Sequence, residues 1–170
     1  MDDILELAEK AHHIGVKLEI IGGLPIWEAF PNWQHQRSVD RVRASMREAI
    51  TKPDQKAKPC ACLHAADIYI RFPDGSLKRP DIAIFCQEPP IHEQKTATTL
   101  IPEAVVEVIS AGYEAKDLEL SPKFYLLHGV KDVIVFDPET LLVLHERKDG
   151  AKRMVSPVMI TLECGCSLVV

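Results

Sequence analysis

The sequence predicts an α+β fold, a mixed α/β architecture in which strands are grouped and helices stand to one side. Two observations carry this. Strand-like segments come in adjacent groups, in the order helix, hairpin, helix, hairpin, strand, helix and several further strands. Three glycine-containing turn signals, Gly22-Gly23, Asp74-Gly75 and Asp149-Gly150, each separate two strand-like runs, as tight hairpins require. With 170 residues and 46% hydrophobic side chains the chain has material for one sizeable core, so residues 1–170 are expected to form a single domain.

Residues 2–11 place Ile4, Leu5, Leu7, Ala8 and Ala11 at helical spacing behind an acidic first turn, which predicts an amphipathic packing helix. Residues 16–21 and 24–30 read as a hairpin around Gly22-Gly23. Pro25, lacking an N–H for the ladder, puts the second strand at a sheet edge. From 32 to 50 the spacing of Val39, Val42, Ala44, Met46 and Ile50 turns helical, and Arg37, Arg41, Arg43 and Arg47 make this the one markedly basic element. Arg37, Arg41 and Arg47 are expected to line up, facing either phosphate or solvent. Residues 51–59, polar and proline-punctuated, read as a loop.

Strands over 67–72 and 77–85 bracket Pro73-Asp74-Gly75-Ser76, where Asp-Gly tolerates the positive φ of a tight turn. Residues 87–99 have no period and read as a mobile loop over a cleft. The apolar run 104–109 is a buried strand, and 121–128 a helix that starts on Ser121-Pro122 and stops at Gly129. Strands over 130–136 and 141–147 flank Asp137-Pro138-Glu139-Thr140, and 154–170 supplies one or two closing strands.

A net charge of −5 and a pI near 5.8 give no overall footprint for strong nonspecific binding to nucleic acid. A basic face can coexist with an acidic whole, and acids loaded with metal lose their negative charge locally. No apolar run approaches the roughly 20 residues of a membrane helix, and the N-terminus lacks a basic-then-apolar signal pattern. The expected setting is cytoplasmic. Five cysteines fit that compartment as reduced thiols. Four of them form two Cys-x-Cys pairs, Cys60-Ala61-Cys62 and Cys164-Gly165-Cys166, which suit a four-thiolate zinc site or, equally, small buried hydrophobes on one strand face.

The chemistry centres on two acids inside apolar runs. Asp81 follows Arg79-Pro80 and leads into Ile82-Ala83-Ile84-Phe85, and Glu107 sits within Ala104-Val105-Val106-Glu107-Val108-Ile109. A carboxylate buried without a partner costs several kcal/mol, so two on neighbouring core strands call for a cation to share. Mg²⁺, a hard ion that takes carboxylate oxygens, fits; so does pairing with Arg or Lys.

Pro80-Asp81 followed some way on by Glu107-Val108-Ile109 resembles the PD-(D/E)XK nuclease arrangement, with Ile109 where that motif has lysine. More closely, Glu107-Val108-Ile109-Ser110, Lys116-Asp117-Leu118, Tyr125, Gly129-Val130 and Val135-Phe136-Asp137-Pro138 resemble the Uma-type endonuclease family, once catalogued as a domain of unknown function. The resemblance runs from about Leu18 to Glu146. It implies a restriction-endonuclease-like central mixed sheet flanked by helices. It also implies a Mg²⁺-dependent (or Mn²⁺-dependent) endonuclease acting on DNA phosphodiester bonds.

Carried over residue by residue, the resemblance makes Asp81, Glu107 and the backbone carbonyl of Val108 metal ligands, with Glu19, on the opening strand, a possible additional ligand. His35 matches the histidine that opens the second helix beside the cleft. The family's helical lysine falls on Ser121, so Lys116 or Lys123 must supply the catalytic ammonium, with Lys116 preferred for the family-like residues around it. The alternative is a nuclease fold that has lost catalysis and serves as a binding or regulatory module, a reading motivated by Ile109 and the negative net charge. Symmetric cutting of duplex DNA would favour a homodimer. A Ser/His/Asp hydrolase has no Gly-x-Ser-x-Gly elbow to rest on.

Overall fold

The computed structural model describes residues 3–49, 60–114 and 116–170. The predicted loop 51–59 lies outside these residues, as do Asp2, Ile50 and Ala115. In chain order the elements are α1 (Asp3–His13), β1 (Val16–Ile21), β2 (Leu24–Ala29), α2 (Trp33–Ala44), β3 (Arg47–Glu48), β4 (Leu63–Ala66), β5 (Ile70–Arg71), β6 (Leu77–Lys78) and β7 (Ile82–Phe85). Then follow β8 (Ala104–Val108), a π-helical turn (Lys116–Leu120), α3 (Ser121–Leu127), β9 (Asp132–Phe136), β10 (Leu142–Arg147), β11 (Gly150–Val155), β12 (Met159–Thr161) and β13 (Cys166–Val169). The result is the expected mixed α+β architecture.

Among the described residues the strands form three sheets, ordered β2-β1-β6-β5, β11-β10-β9-β8-β7-β4 and β12-β13-β3. In the six-stranded sheet β8 and β9 are parallel, joined through the π-turn and α3, and their neighbours run antiparallel. This is a mixed sheet. The first hairpin pairs Val16 with Ala29 through Ile21 with Leu24, and Gly22 and Gly23 take φ of 56° and 83°, which L side chains rarely adopt. β2, carrying Pro25, is an edge strand, as expected.

Three boundaries differ from the sequence expectation. α2 ends at Ala44, because the Ser45 hydroxyl donates to Val42 O (2.7 Å) and Val169 O (3.2 Å) and the chain then pairs with β13 as β3. Tertiary pairing overrides the helical spacing of 44–50 and removes Arg47 from the helix face. The predicted strand 77–85 is two strands in two different sheets. Pro80 cannot donate to a ladder, so Arg79-Pro80-Asp81 carries the chain from one sheet to the other. The 154–170 region contributes β12 and β13 as well as the end of β11.

The 87–99 loop, expected over a cleft, is instead tied to β5. The Arg71 N–H donates to Thr98 O (2.8 Å) and the Thr98 N–H to Tyr69 O (3.0 Å), and Glu93 accepts bonds from Thr98 Oγ1, Thr99 N and Thr99 Oγ1 at 2.7–2.9 Å.

β8 is buried on both faces, as a strand inside a covered sheet must be. Val106 and Val108 join Val39 and Val42 of α2, Ile134, Ile160 and Leu168 in one cluster, whereas Val105 joins Phe72, Phe124, Tyr125 and Val133 on the other side. Glu107 shares the parity of Val105 and therefore faces α3.

The cysteines depart from the reduced-thiol expectation. Cys60 is bonded to Cys86 and Cys62 to Cys166, leaving Cys164 free, because the Leu63–Phe85 register and the entry to β13 bring the segments together. No described helix is long and apolar enough to cross a membrane.

Candidate active site

The site forms where the chain crosses between sheets. On β1, Lys17 and Glu19 share a face, and that face turns into the junction rather than to water: Lys17 and Glu19 are buried, as are Glu28, Lys78, Arg79, Asp81, Glu107, Lys116 and Asp117. Glu19 Oε2 accepts from Lys78 Nζ (2.7 Å) and Lys116 Nζ (3.2 Å), and its Oε1 accepts from the Arg79 N–H (2.7 Å). Lys78 also donates to Ser121 Oγ (3.1 Å) and lies over the Tyr125 ring, 5.2 Å from its centroid. Lys116 further pairs with Glu28 and with Asp117 Oδ1 (3.3 Å).

The second half of the cluster is the acid pair. The antiparallel register of Ile82 with Val106 sets Asp81 beside Glu107, two like charges across one ladder position. The Asp81 N–H donates to Glu107 Oε2 (3.2 Å) and the Tyr125 hydroxyl to Glu107 Oε1 (2.8 Å). Asp81 Oδ2 accepts from the Val108 N–H (2.7 Å) and bonds His35 Nε2 (3.1 Å), and Lys17 Nζ stands 3.8 Å from Oδ1. The local sequence explains the aim of each group. Asn32 caps α2 by accepting the His35 N–H (2.9 Å), which fixes His35 on the buried side, and Pro80 breaks the ladder at Asp81.

Electrostatics separates the two acids. Burial, reinforced by the charge of Asp81 and only partly offset by Lys78 and Lys17, pushes Glu107 up to about 8. Burial also pushes Asp81 upward, but Lys17, His35 and the Val108 N–H outweigh it and hold this carboxyl below its ordinary value. Near neutral pH the pair therefore holds one negative charge and one proton. Glu19 lies well below the usual carboxylate range, since Lys78, Lys116 and Lys17 overcome its burial. His35 is raised: burial disfavours its cation, and the bond and charge of Asp81 more than compensate.

Asp81, Glu107, Val108, Glu19 and Lys116 thus converge. Glu19 does so as the counter-ion of two lysines, its oxygens already engaged. Lys123 does not: it is exposed, on the solvent side of a helix whose buried residues are Ser121, Pro122, Phe124 and Tyr125. Sequence reasoning missed Lys17 and Lys78. Lys78, on β6, donates its ammonium to Ser121 at the start of α3 and so brings a cation to that end of the helix. The available signal was its place three residues before Asp81.

A divalent cation fits this donor set on chemical grounds, since two carboxyls forced side by side retain a proton that a cation would displace. His35 Nδ1 is buried and without a hydrogen-bond partner among the described residues. The ring lines a cleft of about 60 Å³ with Asn32, Ile109, Ser110, Glu114 and Asp137, so the cleft ends against the group that holds Asp81.

Among curated proteins, none matches the chain. Among solved structures, the chain is similar to one described as a "putative nuclease belonging to DUF820" from Anabaena variabilis, with a TM-score of 0.63, 17% identity and coverage of 85% of this chain and 80% of that one. At that identity the likeness speaks for the fold. A family model described as "Uma2: Putative restriction endonuclease" matches residues 1–160. With that match over nearly the whole length, the chain belongs to the Uma2 family.

Proposed function

We propose that the protein is a metal-dependent endonuclease that hydrolyses DNA phosphodiester bonds. The observation that carries this reading is the cross-strand pair Asp81–Glu107, in which burial, reinforced by the charge of Asp81, pushes Glu107 up to about 8. Asp81, Glu107 and the Val108 carbonyl would hold Mg²⁺ or Mn²⁺, which when bound supplies Lewis-acid stabilisation of the charge developing at phosphorus and a more acidic water. Glu107, protonated near neutral pH, would have to give up that proton to serve as a ligand. His35 keeps Asp81 oriented through Nε2, while its buried Nδ1 has no hydrogen-bond partner among the described residues. Lys17, 3.8 Å from Asp81, takes the role that the family resemblance assigns to Lys116 or Lys123, orienting water or meeting negative charge. Lys116, engaged by Glu19, Glu28 and Asp117, holds the cluster together.

DNA would approach along α2, where the exposed Trp33 lines a groove of about 640 Å³ with Arg37 and Arg41. An aromatic face beside two guanidiniums suits bases and phosphates despite the negative net charge. Cutting both strands would take two copies, and a cytoplasmic setting goes with this reading.

The test is cleavage of single- and double-stranded DNA with Mg²⁺ or Mn²⁺. Glu107→Gln should abolish cutting while the fold stands, and unchanged activity in that variant would refute the assignment.

A second reading, a catalytically silent binding module on a nuclease fold, is favoured by one observation: the acids are closed over, Asp81 at 7% and Glu107 at 1% exposure, and three lysines already stand among them. A silent module would bind DNA without binding Mn²⁺ through Asp81.

A further inference from the structure

All five cysteines of the chain, drawn from three separate segments, meet at one place. Cys60 and Cys62 precede β4, Cys86 follows β7, and Cys164 and Cys166 flank the Gly165 turn into β13. The sulfurs of Cys60, Cys164 and Cys166 lie within 4.8 Å of one another, and Cys86 and Cys62 are bonded to the first and last of these. Four thiolates at about 2.3 Å from a tetrahedral ion stand about 3.8 Å apart, so the sulfurs of Cys60, Cys164 and Cys166 have the right compass for one zinc, and Cys62, bonded to Cys166 and two residues from Cys60, is at hand as the fourth.

The arm carrying Cys164 and Cys166 is held independently of its sulfurs. Gly165 N–H bonds Leu162 O (3.0 Å), Ala49 N–H bonds Gly165 O (2.8 Å), and the buried Asp132 accepts the Glu163 N–H (2.8 Å). On the opposite arm Cys62 has φ of 50°, a left-handed backbone that a non-glycine residue keeps only where its surroundings demand it. Two disulfides use four sulfurs and leave Cys164 without a task. A four-thiolate site that includes it gives the fifth thiol a purpose.

We propose that when an external two-electron reductant, a thiol or a phosphine, has opened both disulfides, Cys60, Cys62, Cys164 and Cys166 bind one Zn²⁺ as a structural tetrathiolate site and Cys86 is left as the free thiol; loss of zinc and withdrawal of four electrons by an external oxidant such as O₂ restores the two disulfides, with Cys164 free. The thiols lose their protons to solvent on binding, so affinity rises with pH.

The experiment uses the full chain purified with a non-thiol reductant and no chelator, with metal content measured by mass spectrometry and thiols titrated after denaturation. About one zinc per chain with five thiols is expected. Cys62→Ser and Cys166→Ser should reduce zinc to background, and Cys86→Ser should leave it unchanged. Should the variants fail to fold, cobalt titration of the reduced, metal-stripped wild type decides, and intense thiolate-to-cobalt absorption at one equivalent is expected. Two disulfides and one thiol under reducing conditions, or five thiols with no zinc and no cobalt absorption, would overturn the site. Zinc lost in Cys86→Ser and kept in Cys62→Ser would overturn the ligand assignment.

Discussion

Asp81 and Asp132 are both buried aspartates at the start of a strand of the six-stranded sheet, each bound by a histidine, approached by a cation and held below its ordinary value, and they differ in that only Asp81 faces a second acid. Asp132 accepts from His145 Nε2 (2.7 Å), from Arg147 Nε and from the Glu163 N–H (2.8 Å). Burial pushes its carboxyl up, but those partners outweigh it and hold it below its ordinary value. Asp81 has comparable partners and, in addition, Glu107 across the ladder, kept protonated up to about 8. A balanced buried ion pair can be left to hold a fold together. A buried pair of acids that the chain neutralises only by retaining a proton is costly to keep, and in the proposed reading it is the place that takes a cation from outside.

Three perturbations sharpen this contrast. The largest effect is expected at the first region's internal counter-ions: Lys78→Ala removes the shorter of the two lysine bonds to the fully buried Glu19, leaving Lys116 and the Arg79 N–H, and should cost about 3 kcal/mol in denaturant unfolding. Replacing both partners, Glu19→Leu with Lys78→Met, should recover much of that loss, because no uncompensated charge remains. Asp132→Asn should cost about 2 kcal/mol and leave metal binding and cleavage unchanged. Its pH signature follows from a lowered carboxyl, whose stabilisation is present above the unfolded pKa and lost as pH falls through the folded one. The variant should therefore lose less stability than wild type in acid.

Glu107→Gln should show the opposite slope. Glu107 is raised from 4.5 to about 8, so its contribution is complete below 4.5 and is lost as pH rises through about 8. Thermal unfolding across that window should find the variant gaining on wild type by about 2 kcal/mol, less than the full shift because Asp81 and the lysines titrate with it. A pH-independent difference would remove the premise that the pair shares a proton.

The sequence made β1 and β2 legible because Gly22-Gly23 and Pro25 encode a turn and an edge locally. It made Glu107 legible because an acid stands out among β-branched neighbours. What it concealed depends on distant partners. Val16-Lys17-Leu18-Glu19 alternates as a strand with one wet face would, and only the second sheet turns that face inward, so Lys17 escaped notice. Lys78 reads as a polar residue after a hairpin turn, and its meaning depends on Glu19 and Ser121, 59 and 43 residues away in the chain. The end of α2 was obscured for the same reason: β3 exists only because β13 is there to pair with it.

The central claim is tested most directly by titrating Mn²⁺ into wild type and Asp81→Asn by calorimetry at pH 7, in two buffers of different ionisation enthalpy. Binding by wild type with release of close to one proton, absent from the variant, is what a cation displacing the Glu107 proton requires. Absence of binding by wild type, or binding that survives in Asp81→Asn, would contradict the account and favour the silent module.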